Sequence, residues 1–395
     1  MTNYHKIILK AGKEKSPKNF HPWLFSGAIA KTEGNPVEGD IVEVYSSSDE
    51  FLAMGHFHKG TITVRIFSFE KTEAKFEFWK NKLQSAYNLR RNLNLINNSL
   101  TNVYRLIHAE GDGMPGLIID YYNGIAVLQT HTLGMHKIKH HLVQALQEIY
   151  AKELKAVFDK SAETMKKQTG MEMENQFLFG EEYENIVVNE YGNNFNVNSR
   201  TGQKTGFFID QRENRKLLAT YCEGKSVLNT FCYTGGFSVF ALNASASLVH
   251  SVDSSASAIE MTEHNVALNE NGERHTSFTE NVFQFIKMQE QKYDIIILDP
   301  PAFAKHLSAL KQASIAYRNL NAEAIKKVNK GGLIFTFSCS QVIDRMLFRK
   351  IIFASAAMTG RNVRILHQLS QPADHPVSIY HPEGEYLKGL VLYVE

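Results

Sequence analysis

From about residue 191 to its end the chain alternates short apolar runs with longer amphipathic stretches, and this alternation constrains the fold more than any other feature. The runs fall at Ser226–Asn229, Leu248–Asp253, Thr276–Thr279, Tyr293–Asp299, Leu333–Ser338, Val363–Leu366 and Tyr386–Val394, with helical spacing clearest at Ala256–Asn269 and Leu310–Val328. Nearly continuous apolar runs describe strands buried on both faces, and strand–helix alternation supplies the helices that bury them. The expectation is an open α/β sheet of Rossmann-like type. Such sheets bind ligands in the crevice outside the carboxyl ends of their strands, so the residues that end each run are the candidates for chemistry.

Three strand ends stand out. The first run leads into Phe231-Cys232-Tyr233-Thr234-Gly235-Gly236, a glycine turn that opens a helix, and Asp253 ends the next run 18 residues after Gly235. Glycines allow close backbone approach to a ligand, and a carboxylate about 20 residues on suits ribose hydroxyls, so the unit is expected to bind a nucleoside. The spacing is not Gly-x-Gly-x-x-Gly, which disfavours a dinucleotide dehydrogenase; a plain packing turn is the competing reading of the glycines. The fourth run ends in Asp299-Pro300-Pro301-Ala302-Phe303. Two prolines fix φ and remove two backbone donors, so Asp299 is held rigidly, and Phe303 offers a flat face for a base lifted out of its stack. The fifth run, Leu333 to Ser338 after the paired-glycine turn Gly331-Gly332, delivers Cys339 to its tip. A nucleophile there would face whatever the sheet binds.

The remainder of the chain divides by pattern. Residues 1–70 show short extended runs, Gly39–Tyr45, Phe51–Gly55 and Ile62–Phe67, joined by polar or glycine turns, as in a small β-barrel. The aromatic turn Phe20–Gly27 precedes them, as core packing or as a base-contacting surface. Residues 71–190 read as a mixed α+β module with an amphipathic helix marked by Phe76, Trp79, Leu83, Tyr87 and Leu93, strands from Tyr104 onward, and a helix from Met135 to Lys152.

No apolar run approaches the ~20 residues of a membrane span, and Met1 to Lys6 has no apolar stretch suited to a signal peptide, so a cytoplasmic protein is expected, without membrane contact. Three cysteines, Cys222, Cys232 and Cys339, argue against a disulfide framework, and no spacing suggests a metal site. Cys222 reads as packing and Cys232 as a small loop residue. With 43 basic against 41 acidic residues, charge alone does not announce a nucleic-acid binder.

These motifs together resemble the S-adenosylmethionine-dependent 23S rRNA cytosine-5 methyltransferases. The resemblance is carried by His21-Pro22-Trp23 to Gly27 with the Gly39–Phe67 strands, by Glu110-Gly111-Asp112-Gly113-Met114-Pro115-Gly116-Leu117, by Gly202 to Arg212, by Asp374-His375-Pro376 and by Tyr386-Leu387-Lys388-Gly389, and it covers nearly the whole chain. It implies an N-terminal PUA β-barrel over 1–70, a central α+β domain over 71–190 and a class I methyltransferase domain over 191–395. It implies S-adenosyl-L-methionine as cofactor and large-subunit rRNA as partner, with a homodimer also open.

In that family's terms Cys339 would add to C6 of cytosine, making C5 an enamine able to attack the methyl-sulfonium, and Asp299 would hold the N3/N4 edge. The dipole and backbone N–H groups of a helix beginning near Asp344 would favour the thiolate. Cofactor contacts are expected from Phe231, Tyr233, Thr234, Gly235, Asp253, Asn281, Val282, Asp299 and Pro300, with Asp210 and Gln211 at the entrance. Substrate contacts are expected from Phe303, Lys204 and His375; Arg215 is a candidate for the cofactor or RNA entrance and Lys388 for the cleft border. Two departures stand. Pro301 replaces the second cysteine of many RNA cytosine-5 methyltransferases, and Asn281 replaces an acidic residue. No residue is assigned to remove the C5 proton. The competing readings are a methyltransferase acting on guanine N7 or an exocyclic amine, which needs no fifth-strand thiol, and a non-catalytic RNA-binding assembly factor.

Overall fold

The computed structural model describes residues 4–170 and 172–395; Met1 to Asn3 of the amino-terminal reading lie outside them. The chain forms two compact units: residues 1–186, 198–207 and 373–384 make the first, and 187–197, 208–372 and 385–395 the second.

The first unit contains two sheets. One has six strands in the order Trp23–Phe25, Ile62–Ser68, Phe51–Phe57, Ile41–Tyr45, His5–Leu9 and Ile29–Glu33. Its two edge strands are joined by the three-residue turn Ser26–Ala28, so the sheet must curl until its edges nearly meet, giving an almost closed barrel around Ile7, Leu9, Leu24, Val42, Val44, Val64 and Ile66. Trp23 to Phe25, read as part of a turn from sequence, is an edge strand in which Trp23 lies opposite Arg65. Glu110 ties this sheet to the following module by accepting from Trp23 Nε1 at 2.7 Å and Arg65 Nη1 at 2.9 Å.

The second sheet of this unit has the order Gln176–Gly180, Ala156–Asp159, Ile125–Thr130, Leu117–Tyr122 and Val103–His108. The helix Phe76–Asn92 buries Trp79 and Leu83 with Leu106, Ile119 and Leu128 of the sheet, as its spacing predicts. The expected helix from Met135 to Lys152 is two helices, Leu133–Lys137 and Lys139–Tyr150. Arg90, fully buried, explains the Glu110–Leu117 motif. It grips Asp112 with two bonds of 2.5 and 2.8 Å and donates to the carbonyls of Arg105 and Asp374, both at 2.7 Å.

The second unit is the expected α/β sheet. Its strands are β1 (Ser226–Thr230), β2 (Leu248–Asp253), β3 (His275–Thr279), β4 (Tyr293–Leu298), β5 (Val328–Ser338), β6 (Val363–Leu369) and β7 (Lys388–Val394). They lie in the order β3-β2-β1-β4-β5-β7-β6. The first five are parallel, and β7 runs antiparallel to both its neighbours. The helices are α1 (Arg212–Ala219), α2 (Gly236–Asn243), α3 (Ala256–Ala267), α4 (Val282–Met288), α5 (Leu310–Lys327) and α6 (Arg345–Thr359). Tyr317, Leu320 and Ala324 of α5 and Phe348, Ile351 and Ile352 of α6 pack with Ile296, Leu298 and Ile334.

One expectation is corrected in β5. The paired glycines do not precede the strand but interrupt it: Val328 lies opposite Tyr293 and Leu333 opposite Ile295, so the segment between bulges out, with Gly331 at φ 79°.

A two-stranded sheet, Ile186–Glu190 with Asn193–Val197, is tied to α1 by one buried ion pair. Arg215 Nε and Nη2 donate to the two Glu190 carboxylate oxygens at 2.7 and 2.9 Å, and both side chains are almost inaccessible. Removing one partner leaves an uncompensated charge. Glu190→Gln should therefore destabilise the protein by about 3 kcal/mol or more, measured as a lowered midpoint in urea unfolding; a change below about 1 kcal/mol would show that the pair is dispensable.

Candidate active site

The hydrogen-bond register sets the height of every strand end. Thr230 of β1 lies opposite Val252 of β2 and Leu298 of β4, Asp253 opposite Thr279 of β3, and Leu298 opposite Thr336 of β5. The segments that follow Thr230, Asp253, Leu298 and Ser338 thus leave the same edge of the sheet.

The loop after β1 is strained and tightly held. Phe231 and Tyr233 adopt left-handed backbone conformations, φ 53° and 49°, and Gly235 has φ 75°. For residues with a Cβ this conformation costs on the order of 1 kcal/mol each, and it persists because the surroundings enforce it. Tyr233 N donates to Asp253 Oδ2 at 3.1 Å, Thr262 Oγ1 and Asn265 Nδ2 of α3 donate to the carbonyls of Tyr233 and Thr234 at 2.8 Å each, and Phe208 packs edge-on against Tyr233. Beneath it a buried chain of short bonds runs from Asn229 through Ser238 and Ser251 to His275; nothing in the sequence spacing signals it. Asp253 Oδ1 accepts from Ser255 N, so its carboxylate is oriented by backbone N–H groups at the end of β2. Asn281 caps α4 by accepting from Gln284 N at 3.2 Å, and its neighbour Val282 is buried. A pinned backbone turn followed by an oriented carboxylate fits the ribose and adenine half of a nucleoside cofactor.

At the end of β4, Asp299 Oδ2 accepts from Gln211 Nε2 at 3.0 Å, and Gln211 Oε1 in turn accepts from Asn214 Nδ2 at 2.6 Å. Asp210 Oδ2 accepts from Tyr386 Oη at 2.8 Å. Asp210 and Gln211 are buried; Gln211 fixes Asp299, and Asp210 is bonded to Tyr386. Pro300 is buried. Phe303 is half-buried, its ring 4.6 Å from Tyr317 and 6.0 Å from Phe283, and the row continues to Phe231, 6.2 Å from Phe283.

Cys339 follows β5 and is half-buried, and it forms no disulfide. The next residue, Ser340, is buried; its Oγ lies 3.3 Å from Tyr317 Oη and accepts from Ala304 N at 3.4 Å, which links the cysteine loop to the segment after Asp299. The expected helix effect on Cys339 is not what this end of α6 provides. Asp344 caps α6 by accepting from Leu347 N at 2.7 Å, and a turn closed by Ile343 N to Ser340 O separates the cap from Cys339. The helix dipole is met by a carboxylate instead. The charged neighbour on this side is Lys388, whose ammonium donates to the carbonyls of Ser340 and Tyr386, both at 2.7 Å.

Three sequence candidates have other surroundings. Arg215 belongs to the Glu190 pair and also donates to Phe208 O at 3.0 Å, so it is structural. Lys204 and His375 fall in the first unit. Lys204 sits at φ 50° with its carbonyl accepting from Gln129 Nε2. His375 is buried, its Nδ1 3.2 Å from Asp374 Oδ1 and its ring 5.1 Å from His108.

The loop after β1 yields a direct test. A Cβ added at Gly235 would lie 2.7 Å from Thr262 Cγ2 at a φ that side chains disfavour. Gly235→Ala should cost about 1–3 kcal/mol of stability and weaken S-adenosylmethionine binding in calorimetry; unchanged affinity would separate this turn from the cofactor.

Comparison with known proteins agrees with this geometry. Residues 7–69 match a PUA-like domain and residues 105–379 match the S-adenosylmethionine-dependent methyltransferase family. The chain is 38% identical to the ribosomal RNA large subunit methyltransferase I of Aeromonas hydrophila, over 98% of both chains, and 37% identical to that of Shigella flexneri, over 98% of this chain and 99% of the relative. Among solved structures, a putative SAM-dependent methyltransferase from Streptococcus mutans superposes with a TM-score of 0.84 at 25% identity, covering 98% of this chain and all of the other. A putative methyltransferase complexed with SAH matches equally well, with the same score and identity. The pinned turn after β1, the seven-stranded sheet and these matches have one reading: the chain belongs to the S-adenosylmethionine-dependent methyltransferases, within the family of ribosomal RNA large subunit methyltransferase I, and uses S-adenosylmethionine as its cofactor.

Proposed function

We propose that this protein methylates C5 of a cytosine in large-subunit ribosomal RNA, with Cys339 as a covalent nucleophile. The observation that carries the reading is the neighbourhood of Cys339. A half-buried thiol at the tip of β5 stands one strand from the rigidly presented Asp299, in a loop joined to that aspartate's segment through Ser340. The relatives' names supply the class of substrate.

The chemistry follows from the substrate. C5 of cytosine is a poor nucleophile; addition of the Cys339 sulfur to C6 moves electron density to C5. S-Adenosylmethionine supplies an electrophilic methyl group when bound. Asp299, oriented by Gln211, holds the N3/N4 edge of the base, and the rings of Phe303 and Phe283 offer the face on which a flipped base stacks, with the buried Tyr317 behind Phe303. Phe231, Tyr233, Thr234, Gly235, Asp253, Asn281, Val282 and Pro300 line the cofactor, with Asp210 and Gln211 behind them; Lys204 is exposed and contributes to RNA binding, whereas the buried His375 supports the segment around it. The barrel of residues 1–70 contacts RNA, residues 71–190 connect it, and residues 191–395 carry the reaction. The protein works in the cytoplasm, where ribosomal RNA is made; a homodimer is the assembly the sequence left open.

A methyltransferase for guanine N7 or an exocyclic amine has no use for a thiol at this position. Transfer of labelled methyl groups from S-adenosylmethionine to undermodified ribosomal RNA, followed by nucleoside analysis, should yield 5-methylcytidine. Cys339→Ala should lose this activity by at least about a thousandfold while binding S-adenosylmethionine as the wild type does. Turnover retained in that variant would remove the covalent route.

A further inference from the structure

We propose that Lys388 is the proton partner of Cys339, its ammonium group keeping the sulfur as a thiolate before RNA arrives. This inference rests on the reading of Cys339 as the nucleophile, and it names what activates that nucleophile.

The geometry comes from the antiparallel pairing of β5 with β7. Lys388 lies directly opposite Ser338, the residue before Cys339, and its Nζ donates to the carbonyl of Ser340, the residue after it. The backbone of Lys388 is thus paired just before the cysteine, and its amine is held just after it. A second bond, to Tyr386 O, fixes it further. Two carbonyls occupy two N–H groups. The ammonium form has a third N–H to offer a thiolate, and the neutral amine has a lone pair to accept the thiol proton. Either way the nitrogen has one valence left for a neighbour, and the electrostatic influence of Cys339 reaches it.

A lysine is rarely buried without such a reason. Lys388 is only 4% exposed, and neither carbonyl carries a formal charge to balance it. Burial pushes its ammonium down to about 8, and a Cys339 thiolate is the largest influence opposing that shift. Glu385 and Asp344 also favour the ammonium, and Arg345 disfavours it. Arg345 is itself paired with Glu385. On the α5 side Tyr317 faces the same sulfur, and burial together with the Cys339 charge keeps its hydroxyl protonated. Of the groups around the cysteine, Lys388 is the one with a proton affinity near that of a thiol.

The proton balance is simple. The S–H bond of Cys339 breaks as the third N–H bond of Lys388 forms, and the electron pair left on sulfur makes the S–C6 bond when cytosine is present. After methyl transfer the C5–H bond breaks with its proton passing to a solvent base, its electron pair forms the C5–C6 double bond, and the S–C6 bond breaks to return the sulfur as a thiolate to the same ammonium. Lys388 thus acts as a positioning residue through Cys339.

The test reads the sulfur directly. Alkylation of Cys339 by iodoacetamide, followed by peptide mass spectrometry from mildly acidic to mildly alkaline pH, reports the thiolate fraction without any turnover. Cys222 and Cys232 stay silent because burial pushes both thiols up to about 12. In the wild type the midpoint should fall well below the ~8.5 of an ordinary thiol. In Lys388→Met it should rise by about one unit or more, with the rate at neutral pH about tenfold slower. A wild-type midpoint at or above ~8.5, or the same midpoint in both proteins, would overturn the proposal. A low midpoint that depends on Lys388 in a protein that methylates no RNA would support the pair and remove only the nucleophile reading.

Discussion

The site depends on the hydrogen-bonded register of one parallel sheet. Because Thr230, Leu298 and Thr336 lie in register across β1, β4 and β5, the segments after these strands emerge at one level, which brings together the turn after β1, the carboxylate after β4 and the thiol after β5 although they are far apart in sequence. The backbone hydrogen bonds of β1, β4 and β5 hold this register, and Ile295-Ile296-Ile297-Leu298 is buried on both faces of the sheet. The chemistry is placed by backbone geometry before any polar side chain is considered.

The polar groups then refine that placement. Asp253 holds the strained turn through Tyr233 N, and Gln211 holds Asp299. Each is a charged or dipolar group whose partner is preorganised, which spares the site reorganisation when a ligand enters. The left-handed backbone at Phe231 and Tyr233 is strain that the surrounding hydrogen bonds hold in place. The antiparallel strand β7, inserted between β5 and β6, adds Lys388 beside the cysteine.

Much of this was legible in the sequence because continuous apolar runs and their terminal residues are local signals. Each of the seven runs became a strand, and Asp253, Asp299 and Cys339 stand at or just beyond strand ends. What the sequence hid depends on distant pairing. His5–Leu9 and Ile29–Glu33 are short and partly exposed, and Ile29–Glu33 is mostly polar, so pairing within the barrel is what makes them strands. Asp344 near Cys339 suggested a helix acting on the thiol, whereas the aspartate itself caps that helix. The link from Lys388 to Ser340 spans 48 residues and that from Gln211 to Asp299 spans 88; no local pattern can announce either.

Covalent attack by Cys339 on cytosine is most directly tested by RNA in which the target carries 5-fluorocytidine. Fluorine at C5 cannot leave as a proton does, so a methylated adduct should accumulate as a denaturation-resistant protein–RNA complex. The account predicts that this complex requires S-adenosylmethionine, maps by peptide mass to Cys339 and is absent from Cys339→Ala. Efficient methylation of cytosine-containing RNA with no such complex on the fluorinated RNA, or a complex mapped to another residue, would contradict it.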